Sequence, residues 1–164
     1  MRLIDIIAEK RAHIARLANQ GGAAGEIAAL GEMKNWVQRP KGVGLKVLLT
    51  ALRDSGIAIK GSSFDAIAFA DSLSVDFTDV QQVAATLPAM SFVEIRSANQ
   101  SRGKPGFEGF FFALTEAEIL AAEALGSRHK VALFNKQTGD LRITSVPEIL
   151  ALAKSSNWQL SVQL

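Results

Sequence analysis

The sequence predicts an α/β (α+β) protein with a central mixed β-sheet flanked by helices and preceded by a helical N-terminal segment. Apolar residues at helical spacing dominate the first third of the chain, and short apolar or alternating runs typical of strands recur after it. A helix lies between two of these later runs, as expected where helices pack on a sheet. The length of 164 residues favours one domain. We expect residues 1–56 to form the helical segment and 57–164 the sheet core.

Three helices are predicted in the N-terminal segment, at 3–18, 24–37 and about 44–55. Each has apolar side chains spaced three or four residues apart, which puts them on one helical face. The third helix has the clearest stripe, formed by Leu45, Leu48, Leu49 and Leu52. Gly56 follows as its expected C-terminal cap.

The remainder of the chain is predicted to alternate between strands and helices. Thr115 and Ser145 each precede a glutamate by three residues, which is the capping-box signature of a helix start. We expect helices after these two positions, ending near residues 125 and 154. Residues 71–90 are interpreted as an insertion between paired strands, with two helical turns before Pro88. Strands are predicted at 57–59, 64–70, 91–97, 109–113, 130–134, 141–143 and 158–162.

Composition excludes several classes of protein. There is no cysteine, which rules out disulfides and thiolate metal sites. No apolar run reaches membrane-spanning length, and Asp5 stands where a signal peptide would be apolar, so we expect a cytoplasmic protein with no membrane partner. The net charge of +2 permits nucleic-acid binding without requiring it. His13 and His129 have no metal-ligand partner at useful spacing, and both are predicted to lie on the surface.

The strand at 91–97 carries the residues most suited to chemistry. Side chains at i and i+2 of a strand share a face, so Glu94 and Arg96 should point the same way while Val93 and Ile95 face a core. Asp65 occupies a similar setting at the neighbouring apolar strand. Two carboxylates with a cation beside them can hold a divalent metal and a phosphate. The alternative interpretation is an ordinary surface ion pair.

An ordered series of features resembles a known family. In chain order the features are Asp65-Ala66-Ile67, Val93 to Ser97, a Gly/Pro loop, Phe111 to Glu118, and Gly126 to Phe134. Over roughly residues 61–145 the chain is similar to the nuclease-like domain found at the C-terminus of the plant NO VEIN protein. That domain recurs in bacterial restriction and defence proteins and belongs to the PD-(D/E)XK nuclease fold.

The resemblance implies a Mg²⁺- or Mn²⁺-dependent endonuclease acting on DNA phosphodiesters in restriction or defence. Asp65, Glu94 and the carbonyl of Ile95 would be the metal ligands, and Asp65, Glu94 and Arg96 the catalytic residues. Arg96 stands where the family usually has lysine. A guanidinium, with a pKa above ~12, cannot act as a base, although it can pair with a phosphate through two hydrogen bonds.

Other residues enter as alternatives or additions. Asp71 is an alternative acidic ligand to Asp65, and Glu26 or Glu32 can complete the ligand set. Arg102 and Lys104, in a Gly/Pro-rich loop beside the candidate site, either contact nucleic-acid phosphates or belong to a solvated loop.

Two further functions stay open. The chain can be a catalytically inactive nuclease-fold module that binds nucleic acid or a partner protein, alone, as a homodimer or with a partner subunit. Alternatively, residues 1–56 form a helical DNA-binding or dimerisation module that carries an accessory α/β domain. Arg39, Lys41 and Lys46 motivate this last interpretation.

Overall fold

The computed structural model describes residues 2–19, 35–71, 73–98, 113–135, 140–153 and 162–163. Within these residues the protein is α+β, with five helices around a five-stranded mixed sheet. The helices are α1 (Leu3–Asn19), α2 (Val43–Asp54), α3 (Val80–Thr86), α4 (Glu116–Leu125) and α5 (Val146–Leu152). The strands are β1 (Asn35–Gln38), β2 (Ala66–Phe69), β3 (Met90–Ala98), β4 (His129–Asn135) and β5 (Leu141–Thr144).

The five strands lie side by side in chain order. Strands β1, β2 and β3 pair antiparallel, β4 pairs parallel to β3, and β5 returns antiparallel to β4. A parallel neighbour needs a long crossover connection, and α4 lies in the connection between β3 and β4. As a result the first turn of α4 lies close to β3, where the candidate site is found.

One face of the sheet is packed under helices α2, α3 and α4. The register aligns Ile67 of β2 with Phe92 of β3, and Phe92 with His129 of β4, so these side chains share that face. Each buries apolar surface, which is the main favourable contribution to folding. The core on this face is formed by Leu48, Leu52, Phe64, Ile67, Phe69, Val83, Leu87, Met90, Phe92, Ala121 and Leu125.

Most predicted elements are confirmed. The leucine stripe of α2 contributes Leu48 and Leu52 to the core, each fully buried, and Gly56 follows the helix with a left-handed φ of 92°. Strand β2 is buried along its whole length, as predicted for a central strand. Both capped helices, α4 and α5, begin where their Thr and Ser caps indicate. None of the described helices is long and apolar enough to cross a membrane.

The predicted helix at 24–37 is wrong for residues 35–37. These residues begin strand β1, which pairs with β2 from Asn35↔Phe69 to Gln38↔Ala66. A strand buried like β2 needs a partner for its backbone groups on both sides, and β1 is that partner. Helical spacing of apolar residues cannot reveal this long-range pairing. The segment 1–56 is therefore not wholly helical, because strand β1 lies within it and belongs to the sheet.

One further predicted strand, at 57–59, is wrong, and two others fall almost wholly outside the described residues. Residues 57–59 are described and form no strand. The predicted strands at 109–113 and 158–162 lie outside the described residues except for Ala113 and Val162, and neither of these two residues is in a strand. The predicted insertion at 71–90 contains α3, followed by a short 3₁₀ turn at Leu87–Ala89 that leads directly into β3.

Candidate active site

The candidate site lies where β3 extends past the end of β2. Strand β2 begins at Ala66, which pairs with Val93, whereas β3 continues to Ala98. Asp65 occupies the junction: its backbone N–H donates to the Val93 carbonyl at 2.8 Å, and its Oδ2 accepts the Ile95 N–H at 2.9 Å. The Asp65 carboxylate thus replaces the strand partner that Ile95 would otherwise have, and it is fixed beside the Glu94–Arg96 stretch.

Glu94 and Arg96 share a face of β3, as the strand period predicts. Arg96 Nη2 lies 3.4 Å from Glu94 Oε1. The shared face is the helix-covered one, because Phe92 precedes Glu94 by one strand period. Glu94 is only 5% exposed, so it is not part of a solvated surface pair. On the opposite face Val93 is buried as predicted, but Ile95 is 39% exposed.

A third carboxylate, which the sequence did not mark as a site residue, comes from the first turn of α4. Glu118 is 2% exposed, and its Oε1 accepts a hydrogen bond from Arg96 Nη2. Its Oε2 accepts the backbone N–H of Thr115 at 2.8 Å, while the Thr115 hydroxyl accepts the Glu118 N–H at 3.3 Å. Glu118 therefore completes the predicted capping box and contacts the candidate site with the same carboxylate.

Burial and neighbouring carboxylates dominate the electrostatics. Burial, a side-chain hydrogen bond with Glu118 and the negative charges of Glu118 and Asp65 together raise the pKa of Glu94 to about 8. Arg96 lowers the pKa, but by less than these effects raise it. Glu94 is therefore largely protonated at pH 7. Its Oε2 is buried and has no hydrogen-bond partner among the described residues.

His129 is buried, so the prediction of a surface histidine is wrong for this residue. It is 1% exposed, and its Nε2 lies 3.2 Å from the Ser63 carbonyl oxygen, which can only accept a hydrogen bond. Burial lowers the pKa of His129, although the Ser63 hydrogen bond and the Glu118 charge oppose this shift. A neutral ring that donates from Nε2 links β4 to the turn before β2. His13, in α1, lies 2.7 Å from Glu123 of α4.

A pocket of about 370 Å³ opens on the other side of Asp65. Two cationic residues belong to it. The Arg39 guanidinium donates to the carbonyls of Gly61 at 2.5 Å and Phe64 at 2.9 Å, so it is fixed in place, whereas Lys41 is exposed. No sequence pattern connects these two cations with Asp65. The pocket is lined by Trp36, Val37, Gln38, Arg39, Lys41, Asp65, Ala66 and Ile95.

Of the other candidate residues, Asp71 lies away from this cluster and four fall outside the described residues. Asp71 lies beyond the opposite end of β2 from Asp65, and a four-residue strand of ~13 Å separates them. Asp65 is therefore the carboxylate beside Glu94, and the alternative that named Asp71 is wrong. Glu26, Glu32, Arg102 and Lys104 lie outside the described residues.

The donors at the site suit Mg²⁺ in kind. Among the described residues, no three His, Asp or Glu side chains are arranged to hold a metal ion together. Mg²⁺ is commonly held by only one or two carboxylates, with water and substrate phosphate as its other ligands. Asp65 and Glu94 provide two carboxylates, and the unpartnered Oε2 of Glu94 is the kind of oxygen that a cation would satisfy.

Comparisons of the chain with protein-family models, with curated proteins and with solved structures found no match. What the site can do therefore follows from its own residues and their geometry.

Proposed function

We propose that the protein is a metal-dependent endonuclease of the PD-(D/E)XK type that acts on DNA phosphodiesters in restriction or defence. The supporting observation is that Asp65, immediately before the start of β2, is hydrogen-bonded to the Ile95 N–H between Glu94 and Arg96, whose side chains lie 3.4 Å apart. The family-like series of sequence features points to these three residues, and the nuclease fold needs its acidic residues on adjacent strands. Asp65 precedes β2 and Glu94 lies in β3, its neighbour.

The charge balance of the site supports a cation. The Glu94 and Glu118 carboxylates both lie against the one Arg96 guanidinium, and the charge of Asp65 also acts on Glu94. Full ionisation would leave an excess of negative charge in a largely buried place, which is costly. Either a proton on Glu94 or a divalent cation relieves this excess. Burial and the neighbouring carboxylates raise the pKa of Glu94, and a divalent cation bound there would favour its ionised form.

The roles of the residues follow from their chemistry. Asp65, Glu94 and the Ile95 carbonyl would hold Mg²⁺, which when bound supplies a water of lowered pKa and neutralises phosphate charge. Arg96 cannot accept a proton at neutral pH, so it would donate N–H groups to phosphate oxygens instead. Lys41, exposed beside Asp65, would contact the nucleic-acid backbone and give affinity without sequence preference.

One observation favours a second candidate, a nuclease-fold module that binds DNA without cutting it. The Arg96 guanidinium is already paired with two acidic side chains, Glu118 and Glu94. No amine stands in its position to orient or deprotonate water. A site of this kind can retain its shape and its attraction for phosphate after losing catalysis.

Plasmid cleavage in Mg²⁺ or Mn²⁺ tests the proposal. We expect cleavage by the wild-type chain and a loss of at least about 100-fold in Asp65→Ala and Glu94→Ala, the scale of removing one group that stabilises transition-state charge. Glu9→Gln is the matched control, because Glu9 is an exposed acidic residue of α1. Cleavage that survives Glu94→Ala would contradict the proposed site.

Measuring DNA binding alongside cleavage separates the two candidates. DNA binding without cleavage, unaffected by metal, would support the inactive module. Arg96→Lys then becomes informative, because it restores the amine that the family usually has. Cleavage gained by this variant would identify a site that is attenuated by its guanidinium and otherwise intact.

A further inference from the structure

Arg96 lies in an unfavourable place for a cation unless it is neutralised. Its side chain reaches from β3 to the first turn of α4, where unpaired backbone N–H groups carry a partial positive charge. Glu118, at the third position of α4, faces both the helix N-terminus and the guanidinium. Its carboxylate is buried, so neither partner can be lost without leaving an uncompensated charge.

The carboxylate of Glu118 is held in one orientation. One oxygen accepts the Thr115 N–H and the other accepts Arg96 Nη2, so rotation of the carboxylate would break both hydrogen bonds. The capping box thereby fixes the acceptor to which the guanidinium must point. Since Nη2 of Arg96 also lies 3.4 Å from Glu94, the guanidinium is held between the two acidic side chains.

We infer that Glu118 is a positioning residue of this site: it holds the Arg96 guanidinium beside Glu94 and so sets the direction from which this cation meets a bound phosphate. The bound phosphate in this inference rests on the proposed function. The contact between Glu118 and Arg96 does not depend on that function. Glu118 needs to touch neither metal nor substrate. It acts through Arg96.

The chain contains a matched control in the same helical turn. Glu116 is two residues earlier in α4, so it interacts with the same helix N-terminus, but it is exposed and pairs with Lys10 of α1 at 2.5 Å. Glu116→Gln removes an acidic charge from the turn without touching Arg96. Thr115→Ala removes the hydroxyl cap but leaves the Glu118 carboxylate and the Thr115 backbone N–H in place.

The first test is hydrogen exchange of the Arg96 side-chain N–H groups in ¹⁵N-labelled protein, with their signals assigned by their loss in Arg96→Lys. We expect exchange to accelerate at least about tenfold in Glu118→Gln, the scale of losing one charge-assisted hydrogen bond. Glu116→Gln and Thr115→Ala should leave it within about twofold of wild type. Unchanged exchange in Glu118→Gln, or equal acceleration in Thr115→Ala, would overturn the inference.

The second test measures DNA affinity and cleavage in a double-mutant cycle. Glu118→Gln should weaken DNA binding or cleavage by about tenfold or more in the wild-type background and have little effect in the Arg96→Ala background, because coupled residues are not additive. An equal effect in both backgrounds would show that Glu118 acts by another route. If exchange responds to Glu118→Gln but the wild-type chain neither binds nor cuts DNA, the proposed function fails and the positioning contact stands.

Discussion

The helix-covered face of β3 has an aromatic half that packs in the core and a half that carries buried acidic and basic side chains. Near the start of β3, Phe92 packs edge-on against Phe64, with ring centroids 5.1 Å apart and an interplanar angle of 81°, within the apolar core, and the Arg128 guanidinium lies 5.7 Å from the centroid of the Phe92 ring. Two residues further along the same face, Glu94 begins a cluster of buried charge. Helix α4 covers both halves: Ala121 and Leu125 contact the apolar part, and its first turn provides Glu118 to the polar part.

The difference shows where the fold departs from maximal stability. Buried ion pairs are often no more stabilising than apolar residues of similar volume, because desolvation offsets their attraction. Extending the apolar core past Phe92 would have been physically simpler than burying two carboxylates beside one guanidinium. Places where local rules are broken in this way are expected to be functional. The polar half of the face is therefore the part of the sheet to which we assign chemistry.

Phe92→Ala should give the largest loss of stability. Phe92 is fully buried and contacts residues of the sheet and its helices, so its removal leaves a cavity that costs about 3–5 kcal/mol. Urea unfolding followed by circular dichroism would measure this loss. The loss should be the same at pH 5 and pH 8, because the Arg128 guanidinium over the Phe92 ring stays protonated throughout this range. A loss below ~1 kcal/mol would mean that this half of the face is not a rigid core.

Glu94→Gln should change how stability depends on pH. The pKa of Glu94 is raised in the folded protein to about 8 from an ordinary value of 4.5. A raised pKa means that the folded state holds a proton that the unfolded state has released. Stability from this group is thus complete below pH ~4.5 and is lost as the pH rises through about 8, at up to roughly 1.4 kcal/mol per pH unit.

Glutamine mimics the protonated carboxyl and does not titrate. Relative to wild type, Glu94→Gln should therefore gain stability steadily from pH 5 to pH 8, as measured by urea unfolding at each pH. Glu9→Gln, on the exposed face of α1, is the control and should show no such trend. Parallel stability profiles for wild type and Glu94→Gln would contradict a protonated Glu94 and the burial and neighbouring carboxylates that explain it.

Local signals in the sequence were sufficient for much of the fold. The stripe of α2 and the caps of α4 and α5 depend on residues within a few positions of one another, and all three helices are found where they were predicted. Strand β1 was missed, because its conformation is imposed by pairing with β2, which lies about 30 residues away in the chain. Local periodicity carries no information on such a partner.

The candidate site was predicted in part for a similar reason. Alternation within β3 was enough to place Glu94 and Arg96 on one face, and the setting of Asp65 beside the neighbouring apolar strand, repeated by the resemblance, added the third residue. Glu118 was overlooked because its sequence position already explained it as a helix cap. In the folded protein it does both jobs, and only the packing of α4 on the sheet brings it to Arg96. His129 was likewise misjudged, because its cationic neighbours in sequence hide its burial under the helices.

The smallest effect is expected from removing a single cap hydroxyl. The Thr115 hydroxyl in α4 and the Ser145 hydroxyl in α5 each accept a backbone N–H at 3.3 Å from the residue three positions later. Substitution of either by alanine should cost about 1 kcal/mol in urea unfolding. The two caps differ in their glutamates, because Glu148 accepts a hydrogen bond from the Thr144 hydroxyl at 2.7 Å, whereas Glu118 pairs with Arg96.

This difference makes Ser145→Ala the reference for Thr115→Ala. If Glu118 is held mainly by Arg96, the loss of the Thr115 hydroxyl is local and the two variants should lose stability equally, within ~0.5 kcal/mol. If instead the Thr115 hydroxyl holds the Glu118 carboxylate in its buried position, Thr115→Ala also exposes the ion pair between Glu118 and Arg96. The cost of Thr115→Ala should then exceed that of Ser145→Ala by ~1 kcal/mol or more. The second result would mean that the capped start of α4 as a whole, and not the Glu118 contact alone, positions Arg96.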